Sequence, residues 1–268
     1  MTSEWTITQE VKTLPKLNNP LFIEGLPGIG NVGKIAVDVL IEELKAVKLY
    51  SFFSHKFPHS VFINEKNLIE MPKVEIYYKA FGKKDKRDLL LLVGDIQPID
   101  EESCYYFCEE ILTLLKQYHC AELVTTGGIG LQNIPEKPLV YCTSNDAKLL
   151  KEYTSNNFGV EKQIFGVVGP VIGVTGILLG LAQRYNIKGA SLLAETFAHP
   201  LYLGIKGAKE ILRVLEAKHH FGIDLKKVSQ EIIRMEKEII KKTQEWAAET
   251  IHNKAGAKQV DKEANYIG

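Results

Sequence analysis

Three times along this chain an apolar run breaks into a cluster of glycines: after Leu21 to Ile23, after Glu122 to Thr126, and after Ile164 to Val168. The first and third clusters lead straight into helix-forming residues. A strand that leaves through a glycine turn and returns through a helix is the repeating unit of a parallel sheet, because parallel neighbours need a long crossover between them. The carboxyl-end loops of such strands collect along one edge, where α/β sheets usually bind their ligands.

The first cluster is the most specific. Leu21 to Lys34 reads Leu-Phe-Ile-Glu-Gly-Leu-Pro-Gly-Ile-Gly-Asn-Val-Gly-Lys. Gly28, Gly30 and Gly33 satisfy G-x-G-x-x-G, while Gly28, Gly33 and Lys34 satisfy all but the last position of the phosphate-loop pattern G-x-x-x-x-G-K-[ST]. Ile35 stands where that loop needs a hydroxyl to hold magnesium. A dinucleotide fold wants an acidic residue about 20 positions on, yet the next strand, Val47 to Phe53, ends in Ser54 and His55. Asp95 sits where a magnesium-binding strand would end, but without the loop hydroxyl it has little to work with. The loop has the shape of a nucleotide site without its chemistry. Tight turns and close backbone packing explain its glycines better than phosphate binding does.

Composition narrows the classes further. The chain has 268 residues, 45% apolar and 25% charged, the make-up of an ordinary globular α/β domain with room for an appendage. Its 33 basic and 33 acidic residues cancel, so no global field steers it toward nucleic acid or an anionic membrane. No stretch approaches the ~18 uninterrupted apolar residues of a membrane span, and Met1 to Asn19 lacks the apolar core of a signal peptide. A cytoplasmic protein is therefore expected. Cys104, Cys108, Cys120 and Cys142 form no C-x-x-C and have no ligand partners at metal spacing, so reduced core thiols are expected, with no metal and no cofactor.

Between the glycine clusters the periodicity is clear. Asn31 to Lys45 places Val32, Ile35, Val39 and Leu40 against Asp38, Glu42 and Glu43, an amphipathic helix. Strands are expected at Val47–Phe53, Val61–Ile63 and Val74–Phe81, and at Leu89–Val93, whose unbroken apolar run suits a parallel strand buried on both faces. The charged run Lys83 to Asp88 reads as a solvated hairpin turn. From Asp100, a helix cap, the recurrence of Cys104, Cys108, Ile111, Leu115 and Tyr118 predicts a helix to His119. Ile177 to Tyr185 and Ile205 to His219 are further helices, and Ala190 to Phe197 is a strand ending in Glu195 and His199.

The carboxyl edge should therefore gather Gly28 to Lys34, the Gly127-Gly128 turn, the Gly169–Gly176 loop with Gly173, and Glu195 with His199. An acid/base pair of Glu195 and His199 is one possible use of that edge. No arginine cluster is present to grip phosphate. After Asp224, a second cap, Leu225, Val228, Ile232, Met235 and Ile239 recur at three, four, three and four, a seam for packing against another helix or a neighbouring subunit. The expected organisation is a lead-in (1–20), an α/β core (21–222), a helix for packing or self-association (223–247) and a mobile polar tail (248–268). Tyr266 and Ile267 could anchor that tail in a groove.

These segments together resemble the archaeal branch of the proteasome-assembly chaperone family, related to the second eukaryotic assembly chaperone. The residues that carry the likeness are Phe22 to Gly33, the Gly127-Gly128 turn, Gly166 to Gly176 and Ala194-Glu195-Thr196, within a span from about Leu21 to Glu245. The resemblance implies a three-layer α/β/α fold with a nucleoside-phosphorylase-like, mostly parallel sheet and no catalysis. It also implies self-association and binding to proteasome core-particle subunits or a paralogous chaperone. Members that dock directly end in a hydrophobic-tyrosine-any tripeptide, whereas this chain ends Tyr266-Ile267-Gly268, with tyrosine one place early. A nucleotide- or nucleoside-acting enzyme using Gly28 to Lys34, or an oligomeric scaffold unrelated to proteasomes, are the competing readings.

Overall fold

Leu89–Gly94 and Leu21–Gly25 are buried at every position, and the architecture follows from where these two runs lie: side by side and parallel in the middle of a nine-stranded sheet. The structure, a computed structural model, describes residues 5–230 apart from 65, 84, 156–157 and 167–168. It divides into two compact units, Met1–Leu225 and Lys226–Gly268. In the second, residues 226–230 are described, and they are helical.

In chain order the first unit runs β1 (Thr6–Gln9), β2 (Leu21–Gly25), α1 (Val32–Leu44), β3 (Val47–Phe53), β4 (Phe62–Ile63), β5 (Ile69–Glu70), β6 (Val74–Lys79) and β7 (Leu89–Gly94). It continues through α2 (Glu101–Gln117), β8 (Glu122–Leu131), β9 (Val140–Ser144), α3 (Ala147–Ser155), β10 (Val160–Glu161), α4 (Val174–Ala182), β11 (Lys188–Phe197) and α5 (Ile205–His219). The large sheet has the order β1-β3-β6-β7-β2-β8-β11-β9-β10, while β4 and β5 pair only with each other. Its centre, β7-β2-β8-β11, is parallel. Toward β1 the neighbours are antiparallel, and so is β9 against β11.

Helices cover both faces, as the sequence pattern predicts. Phe22, Leu90, Leu92 and Leu123 point to one side and share a core with Phe107 and Ile111 of α2 and Leu178 of α4. On the other side α1 and α5 pack together across the sheet, burying Val32, Ala36 and Leu40 with Ala208, Ile211 and Leu212. Tyr153 of α3 joins α5 through a 3.0 Å hydrogen bond to His219 Nε2. Each fully buried Leu or Phe in these layers contributes roughly 1.5–3 kcal/mol. Local signals set the helix ends: Asp100 accepts from Ser103 N at 2.8 Å, and α1 stops at Lys45, whose φ of 51° is left-handed.

Two expectations are corrected. Gly127 and Gly128 are not a turn but lie inside β8, which continues to Leu131 paired with β11 (Gly127↔Leu193, Gly128↔Ala194). Ile164 to Val168 is not a strand among its described residues, which hold a single bridge at Phe165. The strand missed instead is β9, an antiparallel insertion between β11 and β10. The lead-in supplies β1, which pairs with β3 at one edge of the sheet.

Candidate functional site

The first glycine loop is pressed flat onto the sheet. After Gly28 the chain makes a single 3-10 turn, Ile29–Asn31, in which Gly30 and Asn31 both have left-handed φ (63° and 51°) before α1 begins. A Cβ on Gly33 would collide with the carbonyl of Thr126 in β8, and one on Gly128 with the carbonyl of Ile29. A Cβ on Gly30 would lie 2.7 Å from Thr196 Oγ1 of β11, and Gly30 O already accepts from Gly204 N at 2.7 Å. Gly30, Gly33 and Gly128 are thus used up in contact between loop and strands, whereas nothing lies within 4 Å of a Cβ on Gly28. Gly128 belongs to β8 for the same reason: only glycine lets that strand pass beneath Ile29.

Lys34 leaves this loop altogether. It reaches along α1 and across to the end of β7, pairing with Asp38 at 3.0 Å and Asp95 at 3.5 Å. The lysine and aspartate of the phosphate-loop reading are thereby joined to each other, and burial pushes Asp38 upward from its usual range against the pull of Lys34.

The carboxyl edge keeps a hollow of about 290 Å³, lined by Gly28 to Asn31 with Ala198, His199, Pro200 and Tyr202, and a larger cleft of about 470 Å³. Gly28, Ile29, Gly127 and Gly128 line it together with the Gly169–Ile172 segment and Thr175. Gln97, a residue the sequence reading did not single out, holds it together: its Nε2 donates to Pro27 O, and its Oε1 accepts from Val174 N at 3.0 Å. One side chain thus ties the first glycine loop to the start of α4. The lining contains no acidic or basic residue. Its rim is apolar: Ile29 is 50% exposed and Ile172 82%.

The PAC2 family model matches residues 22–243, most of the chain and all of the sheet except β1. The chain belongs to the PAC2 family. The resemblance expected from Phe22 to Gly33 is thereby borne out. Among solved structures, Pyrococcus furiosus PbaB, described as an archaeal proteasome activator, is 30% identical with a TM-score of 0.79, covering 91% of this chain and all of that one. Pyrococcus furiosus PbaA, described as an archaeal homolog of proteasome-assembly chaperone, shares the fold at 23% identity and a TM-score of 0.70, over 92% of this chain and 97% of its own. An uncharacterised Methanocaldococcus jannaschii protein is 27% identical over 263 residues, 98% of this chain and 97% of that one.

Beneath the cleft of this PAC2 chain lies a polar row that sequence reasoning also missed. Glu24, fully buried on β2, accepts from Leu26 N at 2.8 Å and from Thr175 Oγ1 at 3.4 Å, while its second oxygen has no protein partner among the described residues. Burial pushes its carboxyl up to about 7. Thr125 on β8 and Ser191 on β11 stand beside it in register, each with a buried hydroxyl lacking a protein partner. The signal was present as a lone acid within an apolar strand followed by glycine.

Of the remaining candidates, His199 lies beside the first glycine loop in the smaller hollow, but Glu195 does not line it. Glu195 is occupied by Leu139 N (3.0 Å) and Tyr141 OH (3.3 Å), and His199 accepts from Leu201 N while stacking on Phe197, so the structure does not join them as an acid/base pair. Gly173 takes a φ of 80° ahead of α4, against Gln97. Of the proposed seam, Leu225 and Val228 fall on helical residues, whereas Ile232, Met235 and Ile239 lie outside the described residues, as do the tail positions Tyr266 and Ile267. Among the described residues no helix is long and apolar enough to cross a membrane.

Proposed function

We propose that this protein is a non-enzymatic chaperone that self-associates and binds proteasome core-particle subunits, or a paralogous chaperone, during proteasome assembly. The observation that carries the reading is the carboxyl edge. A site for nucleotide turnover needs charge beside its glycines, and here the cleft is lined by backbone, aliphatic side chains, Gln97 and Thr175, with Lys34 drawn off to Asp38 and Asp95. An uncharged hollow with an apolar rim suits a protein segment better than a phosphate. Membership of the PAC2 family and the likeness to PbaB, a proteasome activator by its description, support the same partner class.

Such a chaperone works by differential affinity, holding an assembly intermediate more tightly than the finished particle. The test is capture from extract of the source cell with the purified protein as bait. Recovery of proteasome α-subunits or a second PAC2 chain is the expected result, and recovery of neither would sink the reading. Calorimetry against a nucleotide panel is the counter-test: micromolar binding that Lys34→Ala abolishes would move the protein into the enzyme class.

A further inference from the structure

Glu24 is tied into the wall of the larger cleft yet is given nothing to balance a charge. Its Oε1 accepts from Leu26 N and from Thr175 Oγ1, and Thr175 belongs to the first turn of α4, which lines the cleft. One carboxyl thus joins β2 to α4. Its Oε2 is buried without a protein partner, and in register beside it stand Thr125 and Ser191, whose hydroxyls are unpartnered too. Neighbouring strands lie ~4.8 Å apart, a gap that a single water bridges. On the other flank Leu92 of β7 is apolar. Among the described residues the titratable groups within electrostatic reach are Cys104 and Cys108 of α2, and a thiol offers no positive charge. α4 turns its N-terminal end this way, which favours an anion, but its first amide, Val174 N, is already spent on Gln97 Oε1. Burial outweighs the donors and holds the Glu24 carboxyl at about 7.

The wall that Glu24 holds has a hinge. Gly173, with a left-handed φ of 80°, stands immediately before α4, and Ile172 ahead of it is largely in solvent. Two side chains pin the turn that follows: Gln97 at Val174 N (3.0 Å), and Glu24 at Thr175 through a long 3.4 Å bond. We propose that Glu24 is a proton-operated latch on the cleft: while its carboxyl is neutral the first turn of α4 stays docked on β2, and when it ionises that turn lifts at Gly173 and admits water to the Glu24, Thr125 and Ser191 row. The direction follows from linkage. Hydrated in the open form the carboxyl returns toward 4.5, whereas closed it sits at about 7. The closed form is therefore fully favoured below pH 4.5, opening grows by up to about tenfold per pH unit from there to about 7, and above that it levels off. The latch belongs to the cleft itself, whatever occupies it, and so stands or falls apart from proteasome binding.

The test is amide hydrogen exchange on the purified full chain from roughly pH 5 to pH 8, with rates corrected for the intrinsic pH dependence of exchange. Protection of the Val174–Ala182 segment should fall at least tenfold between pH 5 and pH 7 and then level off, while Ile205–His219 of α5 keeps its protection. Glu24→Gln, which cannot ionise, should hold α4 equally protected at every pH. Protection of α4 that ignores pH, or a fall that the glutamine variant shares, overturns the proposal. So does an equal fall in α5, which would make Glu24 a contributor to global stability alone. A second measurement needs no variant: in carbon-13 spectra of glutamate-labelled wild type, one side-chain carboxyl should titrate near 7 while exposed ones titrate near 4.5. If every glutamate titrates near 4.5, the latch has no proton to work with and the proposal falls.

Discussion

The two glycine segments at the carboxyl edge do opposite jobs. Gly30 and Gly33 vanish into contact with β11 and β8, where a larger residue meets the Thr196 side chain and the Thr126 backbone respectively. The Gly169–Gly176 segment is held more loosely: a Cβ on Gly176 would collide with Val171 O of the same segment and one on Gly173 would meet Gln97 Oε1 at 2.7 Å, while Gly169 meets nothing within 4 Å. The first is a joint between loop and sheet, and the second is a ledge that lifts Ile172 into solvent. Glycine content alone does not separate a fixed element from a presenting one; what each missing side chain would strike does.

The sharpest way to break this comparison is Gly33→Ala. With Thr126 backbone in the way, overpacking is expected to cost about 3 kcal/mol, read as a lower urea midpoint, whereas Gly28→Ala, where nothing lies within 4 Å, should stay within about 0.5 kcal/mol. Equal effects would mean the loop is not pinned.

Next comes Glu24→Gln. Because burial raises the folded-state carboxyl to about 7 from an ordinary 4.5, the wild type keeps its full stability from this group below pH 4.5 and loses it as pH climbs through 7. The glutamine variant should gain about 2–3 kcal/mol relative to wild type between pH 5 and pH 8. A pH-independent difference in unfolding free energy would show that Glu24 ionises in the fold as it does in water.

Ile172→Asp probes the ledge. Exposure of 82% predicts a melting temperature within a degree or two of wild type, together with an affinity for proteasome α-subunits reduced at least tenfold, about 1.4 kcal/mol. Retained affinity would remove the ledge from the contact. The smallest effect belongs to Lys34→Ala, whose half-exposed ion pairs are expected to be worth about 0.5 kcal/mol or less in thermal denaturation. A large loss would mean that Lys34 is anchoring more than those two carboxylates.

Much of the fold could be read from residue order where local and tertiary forces agree. The amphipathic period of α1, the cap at Asp100, the bounds of β3 and the buried run of β7 are all visible, because each pattern matches the surface the element meets. Gly127 and Gly128 were misread because their strand identity is imposed by ten consecutive pairings with β11 and by the approach of Ile29, neither of which is local. Ile164 to Val168 carries apolar residues of strand type, yet its described residues make only an isolated bridge at Phe165, while β9 takes the place beside β11. Of the site, the glycine loop was legible. Gln97 and Glu24 were not, because a single polar residue reveals its task only through partners some 70 to 150 positions away.

The placement of β2 has a further consequence for synthesis. Its ladders are made by Leu89 on one side and Glu122 on the other, so both flanks of the earliest central strand are supplied by chain that leaves the ribosome much later. At ~5–20 residues per second the nascent polypeptide spends several seconds with Leu21, Phe22 and Ile23 unsheltered. A protein proposed to escort others through incomplete states must first pass through a prolonged one of its own.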